Sequence, residues 1–76
     1  MSKSDLHMSF NGLRVGNHYK VKNFGEVYIF EVVERIGELN YKCKDVVSLE
    51  TFEFEDIIRY GIGKDFDLDE YKPFLN

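Results

Sequence analysis

The stretch Val27-Tyr28-Ile29-Phe30-Glu31-Val32-Val33-Glu34-Arg35 decides the fold class, because six of its nine residues are β-branched or aromatic. Such side chains lose rotamer freedom in a helix and pack well on a pleated surface. Both faces are apolar at its start. A strand accommodates that by bending to serve two sides of a barrel, so a bulge or strong twist is expected near Glu31. The compact turn Asn23-Phe24-Gly25-Glu26 precedes it, with Gly25 free to take positive φ. Before that turn, Val15-Gly16-Asn17 leads into His18-Tyr19-Lys20-Val21-Lys22, where Tyr19 and Val21 alternate with polar neighbours at the spacing of a half-buried strand.

Beyond the long strand, Ile36-Gly37-Glu38 makes a turn into Leu39-Asn40-Tyr41-Lys42-Cys43-Lys44-Asp45-Val46, which puts Tyr41 and Cys43 on one face and Lys42 and Lys44 on the other. A turn over Val47–Glu50 leads to Thr51-Phe52-Glu53-Phe54 with both phenylalanines inward, and Lys42 or Lys44 can pair with Glu53 across the strands. Glu55-Asp56-Ile57-Ile58-Arg59-Tyr60-Gly61 has an acidic start and a terminal glycine, the composition of one helical or 3₁₀ turn. Asp65-Phe66-Asp67-Leu68-Asp69 alternates acid and apolar residue and reads as a short final strand. The expectation is an all-β chain: a leader over 1–12, one five-stranded barrel domain over 13–70, and a tail over 71–76 holding Pro73.

A chain of 76 residues holds one core, and a domain of this size buries only about 60% of its unfolded surface. Its single cysteine, Cys43, makes no intramolecular disulfide, and no metal-ligand cluster is visible, so the seven Phe and five Tyr are the expected source of core area. One cysteine and no charged-then-apolar leader fit a reducing cytoplasm, and no apolar run approaches the ~18 residues of a membrane helix. The net charge of -4 argues against generic phosphate binding. That average hides an asymmetry, because residues 1–44 carry seven basic against five acidic side chains and residues 45–76 carry three against nine.

From Val15-Gly16 to Lys64-Asp65-Phe66, with Asn23-Phe24-Gly25-Glu26, Tyr41-Lys42-Cys43-Lys44-Asp45 and Ile58-Arg59-Tyr60-Gly61 between them, the chain resembles small uncharacterised bacterial proteins with an SH3-like (Tudor-like) barrel. The resemblance implies a five-stranded, partly open barrel with one helical turn before the last strand. It implies no activity.

Two candidate sites follow. Lys20, Lys22, Lys42 and Lys44 share an outward face of adjacent strands and suggest a platform for RNA, single-stranded DNA or an acidic partner, although a solvated face paired with glutamates explains them equally. Tyr19, Phe24, Tyr28 and Tyr41 suggest an aromatic cage for a methylated amine or a peptide, with Glu26 completing the box. Against the cage stands the general use of aromatic residues as core in short chains.

Asp65, Asp67 and Asp69 have the opening spacing of a calcium loop, but Glu70 stands where glycine is required and Asn76 where glutamate is required; they fit edge protection instead. Gly61-Ile62-Gly63-Lys64 lacks the spacing, the hydroxyl residue and the helix of a phosphate loop. His7, His18 and Cys43 have no companions at catalytic or ligand spacing. The expectation is a non-enzymatic, cofactor-free binding module, protein-directed through the open barrel face and its loops. Its rivals are nucleic-acid binding, a small enzyme or ligand carrier, and self-association through an edge strand or aromatic patch.

Overall fold

The computed structural model describes residues 12–72. Five antiparallel strands form one open sheet in the order β4-β3-β2-β1-β5: β1 His18–Asn23, β2 Glu26–Arg35, β3 Tyr41–Asp45, β4 Thr51–Glu53 and β5 Asp67–Tyr71. One short helix, α1 (Phe54–Ile57), joins β4 to β5, and the last strand returns to pair with the first. Strands β1–β4 form a meander and β5 returns beside β1, as in a small, partly open barrel. The leader and Phe10 lie outside the described residues, as do Pro73 and the end of the tail. No helix among the described residues is long and apolar enough to cross a membrane.

Period-two alternation sets the inner face. Tyr19 and Val21 of β1, Phe30 and Val32 of β2, and Tyr41 and Cys43 of β3 are buried, and Leu13, Phe54 and Ile57 close over them. Phe30 is the hub: its ring lies 6.3 Å from Tyr19, 5.6 Å from Phe52 in an edge contact, and 6.2 Å from Phe54. Full burial of each such ring contributes about 1.5–3 kcal/mol, which is how so short a chain assembles a core without a cross-link.

The irregularity expected near Glu31 falls two residues later. The β2–β3 register shifts between Val32 and Glu34, leaving Val33 as the extra residue of a bulge. Up to Val32 the even-numbered residues of β2 face inward. Past the bulge the phase reverses, so Arg35 pairs with Tyr41 and lies 5.7 Å from that ring's centre.

Two boundaries differ from expectation. The helix starts at Phe54, because that side chain leaves the strand to fill the core and is fully buried. Asp56 follows in its first turn, accepts the Glu53 N–H at 3.2 Å and pairs with Arg59 at 2.7 Å. The last strand covers Asp67–Tyr71 instead of 65–69, so Tyr71, expected in the tail, pairs with His18. Asp65 precedes the strand and has another use.

Candidate interaction surface

All four lysines of the expected basic platform sit on the outer face, but on β1 and β3 with β2 between them, not on adjacent strands. Each is matched by an acid in register: Lys20 opposes Asp69, Lys22 opposes Asp67, Lys44 opposes Glu31, and Lys42 lies between Glu34 and Glu53. One row, Tyr71-His18-Glu31-Lys44-Thr51, crosses the whole sheet. Opposed charges this close offset each other, so the face presents alternating sign rather than a positive field.

The four cage aromatics are dispersed. Tyr19 and Tyr41 are core residues, with the Tyr19 hydroxyl accepting the Arg14 N–H at 2.8 Å. Tyr28 is half-buried and donates its hydroxyl to Glu26 at 2.9 Å; burial first, then this carboxylate, holds its proton more tightly than usual. Only Phe24 is exposed, at 57%. Cys43 is fully buried, and burial pushes its thiol up to about 12, so it stays protonated at neutral pH.

Phe24 sits in an uncommon place. The turn between β1 and β2 has two residues, and both take positive φ, 51° at Phe24 and 78° at Gly25, which is the form that matches strand twist in tight hairpins. Glycine accepts that conformation freely; a phenylalanine does not, because its Cβ crowds the backbone.

Three contacts hold it there. Asp65 receives the N–H groups of Phe24 and Gly25 at 2.9 and 2.7 Å, and these bonds, Gly25 foremost, hold its carboxyl below the usual carboxylate range. Gly63 leaves room for the ring, since a Cβ there would stand 2.9 Å from Phe24 Cδ1. Asn23, 2% exposed, donates Nδ2 to the carbonyls of Ile57 and Gly61 at 3.0 and 3.1 Å and accepts the Gly63 N–H at 2.8 Å. Segment 57–65 is thereby bound to the hairpin tip.

The β3–β4 tip repeats the device at the same end of the sheet. Asp45 accepts the N–H groups of Val47 and Ser48 at 2.8 and 2.9 Å, bonds that lower its carboxyl, Ser48 foremost. Leu49 follows with φ 65° and 61% exposure, next to Val47 at 86%. Phe24 and Leu49 are the two non-glycine residues of positive φ among those described, and both are large, exposed and apolar. Tyr60 at 84% and Ile62 at 46% lie on the segment bound to the first tip.

Sequence reasoning missed this pairing. A two-residue loop ending in glycine between alternating strands already demands positive φ at both positions, and that signal was present at Phe24. The opposite end of the sheet holds a shallow depression of about 230 Å³ around Leu13, Arg14, Asn17, Tyr19 and Glu70, where Asn17 Nδ2 bonds Glu70 at 3.2 Å. No protein-family model, no curated protein and no solved structure matches the chain.

Proposed function

We propose that the chain is a non-enzymatic protein-interaction module that recognises its partner through the hairpin-tip end of the sheet. One observation carries this reading: both left-handed non-glycine positions among the described residues hold exposed hydrophobic side chains, Phe24 and Leu49, where Asn or Gly would relieve strain and leave nothing apolar in water. Exposed hydrophobic side chains on a strained backbone stabilise the isolated domain little. They suit a contact made with something else, and the Asp65 and Asp45 carboxylates keep the two tips rigid so that little ordering entropy is lost on binding.

The test needs no known partner. Phe24→Asn and Leu49→Asn place the residue best suited to each backbone, and both variants are expected to melt at or near the wild-type temperature by circular dichroism. A steep loss of stability in either would show that the side chains serve the fold, and the reading would fall.

A further inference from the structure

We infer that the partner seated on the tips is a second copy of this chain, joined end to end about a two-fold axis; this rests on the reading above. Three observations point to it. The exposed parts of Phe24, Val27, Val47, Leu49, Tyr60 and Ile62 amount to roughly 600 Å² per copy, so a symmetric pair covers about 1,200 Å², at the lower bound for a specific interface.

Hydrogen bonding allows the same arrangement. Asp45 and Asp65, the carboxylates beneath the tips, are each satisfied by two backbone N–H groups, so closing the end on itself leaves neither without partners. Of the acid-rich stretches, 34–38, with Glu34 and Glu38 against Arg35, lies at the opposite end; 53–56 reaches from Asn40, which bonds Glu53 Oε1 and the Glu55 N–H, to the segment bound to the first tip. The longest dimension is 31 Å, so copies meeting tip to tip hold Glu34 and Glu38 of one copy well beyond a Debye length from those of the other.

The sheet edges offer a poorer route. β5 turns Asp67 and Asp69 outward along one edge, and β4 at the other has three residues. An isologous contact through the tips also extends a core that is thin for a lone domain.

Sedimentation velocity of the full chain from about 10 μM to about 1 mM, beside the Phe24→Asn/Leu49→Asn double variant, tests this. The wild type is expected to move from the monomer to the dimer coefficient, and the double variant to stay monomeric with an unchanged circular dichroism spectrum. A wild type monomeric at the highest concentration, or a dimer that survives the double substitution, overturns the inference. If the wild type is monomeric while the variant melts normally, the second copy is excluded and the binding reading stands. A variant that melts far below wild type overturns both.

Discussion

Replacing Phe24 by Asn sets two opposing quantities against each other. A non-glycine side chain in left-handed backbone costs about 1–2 kcal/mol, and Asn is among the residues that tolerate this region best. The ring is 57% exposed, so a little under half is covered, and against about 1.5–3 kcal/mol for a fully buried Phe its packing on Gly63 contributes about 1 kcal/mol. The sum lies within about 1 kcal/mol of zero, on either side. Phe30, fully buried, should lose about 3–5 kcal/mol on truncation to Ala, so the two positions are separable by urea denaturation followed by circular dichroism. A second measurement isolates the contact: Gly63→Ala drives a Cβ into the ring in the wild type, and its cost should shrink in the Phe24→Asn background. A loss above about 2 kcal/mol for Phe24→Asn, or no coupling to Gly63, would refute this account of the turn.

Asn23→Ala strips the carbonyls of Ile57 and Gly61 and the N–H of Gly63 of their common partner, and should cost about 2–4 kcal/mol, read as a lower denaturation midpoint at constant slope. Asp65 and Asp45 have folded-state values below the ordinary carboxylate range, so their contributions are complete above the unfolded value of about 4 and vanish as pH falls through the folded values. Acid titration of the melting temperature should therefore be flatter below pH 4 in Asp65→Asn and Asp45→Asn than in the wild type, and an unchanged slope would count against both turn bonds. Labelled single-stranded RNA or DNA should show no rise in fluorescence anisotropy with the protein even at low salt, since each outer lysine faces an acid; salt-sensitive binding would restore the lysine face as a site.

The strands were legible because alternation is a local signal. Tyr19, Val21, Tyr41 and Cys43 turn inward as their spacing requires, and the charged partners of Lys20 and Lys22 stand across the sheet from them. What escaped depends on long-range contact. Asn23 reads as a turn residue until segment 57–63 folds over it, and Asp65 reads as one member of an acid–apolar alternation until its carboxylate reaches a turn forty residues upstream. Phe54 belongs to a strand by local pattern and to a helix by the demands of the core. The candidate cage failed for a related reason: the pattern says which aromatic residues share a face, and burial decides which of them meet solvent.

The bulge at Val33 separates curvature from residue identity. Deleting that one residue would leave Val32 opposite Cys43, Glu34 opposite Lys42 and Arg35 opposite Tyr41, so every pairing on β3 would survive in a regular ladder. What would go is the local bend and added twist that turn β2 across the core. The shape of this sheet is therefore encoded partly in chain length. Many side chains should be interchangeable at position 33, while removing the position altogether would yield a better-paired and flatter sheet, with less to wrap around Phe30.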